Sequence, residues 1–457
     1  MKSFKERVGE ALTNTGLQSS LKSGTRQARQ SRANAFEWMR EEGWDTEQMR
    51  ETAHRIKIEI LEDLDCWLDQ LEENVIANNG VVYRAATAVE ACDYTLRFAN
   101  DHHVRSVVKS KSMVTEEIDL NERFEDAGIE VLETDLGEYI IQLAQERPSH
   151  IVAPAIHKSL ADVAELYHSL FGTDREMTAA ELTAWTRKRL RPKFLEADMG
   201  VSGANFAIAD TGTLVIVENE GNARLATSVP RIHVAITGIE KVIRSWTDLQ
   251  TLLPLLPTSA TGQKITSYVS FLNGPRRTGE SEGPEEFHLI LLDNGRREIH
   301  SDPVFREGLA CIRCGACLNA CPVYGQIGGH AYGSVYQGPI GAVITPHLQG
   351  IEAAGELPFA STLCGACMDA CPIKIDIPSL LIHQRHRINR EDPVRRPFER
   401  YIFRIWSWLA VRASIYRRVA RFGRPLVKWK LPILRWEKKS FLEQWSSSKN
   451  LKKRLED

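Results

Sequence analysis

The chain has 457 residues, 43% hydrophobic and 26% charged, which suits an ordinary apolar core divided among two or three domains. A formal net charge of −2 excludes a strong general attraction to nucleic acid, and no run of apolar residues approaches the length of a membrane span. The opening MKSFKERVGEAL lacks the apolar segment of a signal peptide, so a cytoplasmic setting with reduced thiols is expected.

Residues 1–75 read as a helical segment, because Ala35, Phe36 and Met39, then Ile56, Ile60, Leu64, Trp67 and Leu71, recur at helical spacing. The first 30 residues are polar and Arg/Ser-rich, which reads as a mobile arm. From 76 to 300 the pattern changes to an α/β layered domain. Strands are expected at 80–84, 104–109, 129–132, 150–154, 206–218, 233–237, 265–271 and 287–292, interleaved with helices at 88–100, 136–146 and 159–171.

Residues 301–392 hold seven of the nine cysteines. They fall in two runs, Cys311, Cys314, Cys317, Cys321-Pro322 and Cys364, Cys367, Cys371-Pro372. The first has the spacing C-x2-C-x2-C-x3-C-P of bacterial-type ferredoxins, where three cysteines hold one iron–sulfur cluster and the fourth crosses to the other. One cluster would take Cys311, Cys314, Cys317 and Cys371, and the second Cys321, Cys364 and Cys367. Small residues at Gly315, Ala316, Gly365 and Ala366 let backbone N–H groups approach the cluster.

The second run has Ser361 where a first cysteine is expected. Its cluster is then either a [3Fe-4S] centre or a [4Fe-4S] centre with an unusual fourth ligand, for which Ser361 is the local candidate. Structural zinc fits poorly, since zinc sites pair cysteines and histidines in closed fours. Cys66 and Cys92 lie in helical patterns and read as core thiols. His102 and His103 are adjacent and point apart, and His330 and His347 fall in the Gly-rich stretch between the runs, which reads as a tight irregular loop. A packing role is expected for these last two.

Elsewhere, an apolar strand ending at Glu218 delivers that residue and Glu220 to a loop with Asn219 and Asn222, which makes the two glutamates weak catalytic candidates. Ser202, Asn205 and Arg224 are candidates to join them around a small molecule. No dinucleotide or phosphate-loop glycine pattern is present, so a hydride-handling group is cryptic or lies on a partner.

Residues 393–457 form a basic, Trp-rich extension expected to be helical, with 18 Lys/Arg against 5 Asp/Glu over 394–457. Trp406, Trp408, Trp429, Trp436 and Trp445 lie in it. The segment 401–422 mixes aromatic residues and Arg at helical spacing, as in helices that lie on anionic membranes or dock a partner, and docking or covering of the cluster domain is favoured.

The strings KSKSMVTEEI (109–118), ADTGTLVIVENEGN (209–222), CPVYGQIGGHAYGSVYQGPIGAVITP (321–346) and LCGACMDACP (363–372) resemble the lactate utilization protein B family over nearly the whole chain. The resemblance implies an α/β lactate-utilization domain similar to ribose-phosphate isomerase and CoA-transferase folds, followed by a ferredoxin-like domain with two clusters. It implies a part in oxidising L-lactate to pyruvate, with two partners: a cysteine-rich iron–sulfur protein and a smaller protein with the same type of N-terminal domain. It also makes Ser361 a family feature. Glu218 stands in a context similar to the nucleophilic glutamate of CoA transferases, which suggests a pocket position and no CoA chemistry. The leading expectation is an electron-transfer component. The alternatives are a self-contained hydroxy-acid oxidoreductase working at an iron that the three-cysteine second cluster leaves open, and a redox-sensing scaffold.

Overall fold

The computed structural model describes residues 2–391, 397–412 and 414–415. Two compact units, Met1–Ile388 and Asn389–Asp457, make up the chain.

The first unit opens on four helices, Phe4–Thr13, Thr15–Glu41, Thr46–Glu62 and Leu64–Ala77. Ser3 and Glu6 form a reciprocal capping box at the first, and the Asn14 and Asp45 side chains cap the next two by accepting backbone N–H bonds. The expected mobile arm is instead packed helix. Leu21 is fully buried, Arg32 Nη2 donates to the Ala370 carbonyl at 3.0 Å, and Arg7 Nε donates to the Ala331 carbonyl at 3.0 Å. Polar composition misleads here because these arginines satisfy carbonyls of the cysteine region and leave their stems to pack.

Ten strands follow: β1 Val81–Ala85, β2 Ser106–Lys109, β3 Glu130–Glu133, β4 Met199–Ser202, β5 Phe206–Ile208, β6 Thr213–Glu218, β7 Ile232–Gly238, β8 Val242–Ile243, β9 Tyr268–Leu272 and β10 Glu286–Leu292. Six form an all-parallel sheet in the order β1-β10-β7-β4-β2-β3. The central strand β7 is buried throughout, as a parallel strand covered on both faces requires. The remaining four form a smaller sheet, β8-β5-β6-β9.

Several expectations are corrected. The single strand expected at 206–218 is two strands joined at a turn, where Gly212 has φ +64°. An added Cβ there would lie 2.6 Å from the Asn74 carbonyl carbon. Residues 150–154 are irregular, because the His150 ring accepts N–H bonds from Val152 and Ala153 and curls the chain locally. The short strands β4 and β8 and the helices Ala179–Glu196 and Trp246–Ala260 escape the sequence reading. Pro192, Pro254 and Pro257 lie inside those two helices, where proline ordinarily argues against a helix. The stretch between the cysteine runs is largely ordered: the helix Gly338–Leu348 buries nearly every side chain. Cys66 is exposed rather than in the core, while Cys92 is buried and donates to the Ile118 carbonyl.

The second unit contains the helix Pro397–Ala410, on which Tyr401, Ile402, Ile405, Trp406 and Trp408 are exposed. Trp429, Trp436 and Trp445 lie outside the described residues. Among the described residues, no helix is long and apolar enough to cross a membrane.

Candidate cluster site and adjoining cavity

The two cysteine runs fold as near copies. Gly315 and Gly365, each just after a cysteine, both adopt left-handed φ, +74° and +85°, and each starts a short helix, Ala316–Ala320 or Ala366–Ala370. The preceding residues Arg313 and Leu363 are also left-handed, at +61° and +54°. Ser361 is the counterpart of Cys311 in this repeat. The backbone N–H of Arg313 donates to Cys311 Sγ at 3.4 Å, and that of Leu363 donates to Ser361 Oγ at 3.1 Å. The serine therefore occupies the position equivalent to Cys311 with the same local bond, with oxygen in place of sulfur.

The seven thiols separate into two groups. Cys311, Cys314, Cys317 and Cys371 line one cavity, together with Arg313 and apolar residues including Ile151, Ile312, Ile340, Ile373 and Ile375. Burial pushes the Cys371 thiol up to about 11, with Cys311 adding to the effect. Burial raises Cys317 too, and its three neighbours there raise it further. Backbone N–H groups of Ala316, Ile340, Ile373 and Ile375 point at these sulfurs. Four soft thiol donors, a dry wall and converging N–H groups fit an iron–sulfur cluster.

The second group is Cys321, Cys364 and Cys367. Burial raises Cys321, and Cys364 adds to it; burial pushes Cys367 to about 12, with Cys321 adding. Cys364 is exposed, and a hydrogen bond from the Thr362 side chain lowers its thiol pKa. Cys364 thus gives the second group a solvent-facing member, whereas in the first group Cys314, Cys317 and Cys371 are buried and Cys311 is half-buried.

A second cavity, of about 320 Å³, opens at the carboxyl ends of β2 and β4, where open α/β sheets bind ligands. Ser110, Lys111 and Ser112 follow β2, Gly203 to Asn205 follow β4, and Lys241 follows β7. Its inner wall includes Arg313 and Cys314, so the cavity of the α/β layer reaches the four-thiol cavity. Glu218 and Glu220 both line it, as does Asn205. Glu218 is committed to structure: its two oxygens accept the N–H groups of Ala223 and Arg224 at 2.7 Å, capping the helix Asn222–Ser228. Burial and the charge of Asp135 push Glu220 up to about 7. Ser202 bonds His233 at 2.8 Å, and neither it nor Arg224 lines the cavity.

Charged residues buried beside this cavity escaped the sequence reading. Arg296 Nε donates to Glu240 at 2.7 Å and its Nη2 to Glu117 at 2.7 Å, and Tyr336 donates to the same Glu117 oxygen at 2.6 Å. Glu240 also accepts from Arg313 Nη2 at 3.1 Å. A signal existed. Glu240 and Lys241 interrupt an otherwise apolar run between Ile239 and Ile243, and charges inside such a run are rarely idle. His330 bonds the Arg147 carbonyl and His347 packs on Phe305, the structural roles expected of them.

The LUD domain matches residues 68–292 and the 4Fe-4S dicluster domain matches residues 307–375. The chain is 46% identical over 394 residues to lactate utilization protein B of Shouchella clausii, covering 86% of this chain and 82% of that one. It is 45% identical to the Bacillus licheniformis protein of that name, over 84% and 80%, and 47% identical to the Bacillus pumilus one, over 85% and 81%. The chain belongs to the lactate utilization protein B family. Membership places it in lactate utilization and makes it an iron–sulfur protein of electron transport, with a LUD domain joined to a dicluster domain. Within this family member, the cavity of the LUD domain and the four-thiol cavity share Cys314 and Arg313 as lining residues.

Proposed function

We propose that this chain is the electron-transfer component of a system that oxidises L-lactate to pyruvate. Cys311, Cys314, Cys317 and Cys371 hold one [4Fe-4S] cluster, and Cys321, Cys364 and Cys367 hold a second, with Ser361 at its fourth corner. The observation that carries this reading is the separation of seven thiols into a group of four that lines one cavity and a group of three that includes the exposed Cys364, within one packed unit. When bound, each cluster takes and gives one electron at a time, so a pair matches the two electrons released when a 2-hydroxy acid becomes a 2-oxo acid.

The chain's own residues serve that role in two ways. The isoleucines around the four-thiol cavity exclude water and keep its dielectric low. The exposed Cys364 leaves the second group open to a partner. The partners are a cysteine-rich iron–sulfur protein and a smaller protein with the same α/β domain type. The exposed aromatic helix Pro397–Ala410 suits docking to such a partner or peripheral contact with an anionic membrane. Four functional regions are assigned: helices at 1–75, the α/β domain at 76–300, the dicluster domain at 301–392 and the basic extension at 393–457.

Anaerobic purification with iron and sulfide analysis, followed by EPR spectra before and after L-lactate, tests the reading. Two clusters reduced by lactate only when both partners are present are expected. A protein that takes up no iron on reconstitution overturns it.

A further inference from the structure

We propose that the cavity at the carboxyl ends of β2, β4 and β7 binds a small monocarboxylate bearing a hydroxyl or carbonyl group, with Lys241 and Arg313 holding the carboxylate. The inference deepens the function proposed above and rests on it only for the choice between a hydroxy acid and other small acids.

One unpaired ammonium and one half-satisfied guanidinium carry the argument. Lys241 is 7% exposed, lines the cavity, and has no hydrogen bond or ion pair among the described residues. The Arg313 side chain is 8% exposed and also lines the cavity. Its Nη2 is taken by Glu240, but its Nη1 is buried with no partner. A buried ammonium and a buried guanidinium edge without acceptors are costly, and an anion that bonds both removes the cost. The surrounding carboxylates do not answer the need. Lys57, Lys241, Arg296 and Arg313 are all buried here; Glu117 and Glu240 are both engaged by Arg296, and Asp248 by Arg244. The Cys311 sulfur is the remaining negative group near Lys241 and Arg313, and it is shared among Lys57, Lys241 and Arg313.

The other charged lining residues set the class of anion. Asp135, Glu218 and Glu220 line the same cavity. Their field disfavours a dianion such as a phosphate ester and admits a monoanion whose far end is neutral and polar. Asn205 and Ser112 line the cavity as well and provide neutral polar neighbours for such a group. The volume of about 320 Å³ accommodates a three-carbon acid with ordered water. Its carboxylate lies at the end of the cavity shared with Cys314, so the ligand abuts the four-thiol group and not the solvent-facing Cys364.

The test uses anaerobically purified full-length protein with its iron and sulfide content measured. Equilibrium dialysis with radiolabelled pyruvate and L-lactate, and with phosphate as the contrasting anion, reads binding directly. Saturable binding of one of the two acids at one site per chain is expected, with phosphate competing weakly. Lys241→Met is expected to weaken it about tenfold or more, the loss of one charged hydrogen bond, while Lys241→Arg retains most of it. A measurement without variants stands beside this: pyruvate is expected to perturb the EPR signal of the reduced protein, because its site adjoins Cys314. Absence of saturable binding, an unperturbed spectrum, or a Lys241→Met protein that binds as the parent does while its cluster potential shifts would overturn the proposal; the last would make Lys241 a counter-ion to the cluster only. If binding is saturable and depends on Lys241 but lactate never reduces the clusters with partners present, the electron-transfer reading fails and the site stands.

Discussion

Arg313, the residue before the second cysteine of the first run, donates to Glu240 of the α/β layer at 3.1 Å. This bond ties the cysteine loop to the carboxyl edge of the parallel sheet, and Arg296 completes it from the other side of Glu240 at 2.7 Å. Burial opposes the charge on Glu240, but the Arg296 and Arg313 guanidiniums, with Lys241, outweigh it and hold the carboxyl at about 2. Such a depressed carboxylate contributes stability above its unfolded pKa of about 4.5, and that contribution is lost as pH falls from there toward 2. At pH 7 the bond network is fully formed. Replacing Glu240 by Gln leaves two buried guanidiniums short of a counter-charge, and a loss of about 3–5 kcal/mol in chemical denaturation is expected. A loss below about 1 kcal/mol would mean that water reaches these groups.

Gly238 is packed against the same pair. A Cβ added there would stand 2.1 Å from Glu240 Oε2 and 2.5 Å from Arg296 Nε, although its backbone φ of −69° suits any residue. Gly238→Ala therefore acts by pushing the ion pair apart, not by straining the chain. Destabilisation of about 1–3 kcal/mol is expected from such overpacking. Because the harm runs through Glu240, the double variant with Glu240→Gln should be less destabilised than the sum of the two single changes. Additive losses in a denaturation series would point to a different cause.

Some of this was legible in the sequence and some was not, for physical reasons. Runs such as β10 and β7 announce themselves because a strand buried on both faces is largely apolar, as in Leu289 to Leu292 and Val234 to Ile236. Central β4 is only Met199–Ser202, too short to show a period, with Gly200 and Ser202 diluting its apolar character. Gly200 is required there since a Cβ would fall 1.7 Å from the Ala226 carbonyl oxygen. The cysteine spacing carries the candidate cluster groups because local chemistry dictates it. The partnership of Arg313 with Glu240 spans 73 residues and depends on where the sheet edge lies, which no local pattern records.

Ser361 offers a direct test of the second thiol group. It stands where Cys311 stands in the other run and accepts the equivalent N–H bond, from Leu363 at 3.1 Å. Thiolate is the softer and stronger ligand for iron in a cluster, so Ser361→Cys should hold the fourth corner more firmly. More iron retained per chain after brief air exposure is expected, together with loss of any three-iron EPR signal. Unchanged iron retention would indicate that the fourth corner is filled from elsewhere.

His233 gives the clearest pH signature in the α/β layer. It lies on β7, is 1% exposed, and shares a 2.8 Å bond with Ser202 on β4. Burial, with a smaller effect from the nearby His288, pushes its pKa down from 6.5 to about 3. The unfolded chain therefore takes up a proton below pH 6.5 that the folded chain refuses, and stability falls as pH drops through that window. The slope from this one group approaches about 1.4 kcal/mol per pH unit once well below pH 6.5. Denaturation curves at pH 7.0, 6.0 and 5.5 should show the decline in the parent protein. In His233→Gln, which keeps a polar partner for Ser202 without a titrating ring, the decline should be shallower by that amount. Parallel slopes in the two proteins would mean that the imidazole charges in the folded state after all, with water or Ser202 accepting its proton within the sheet.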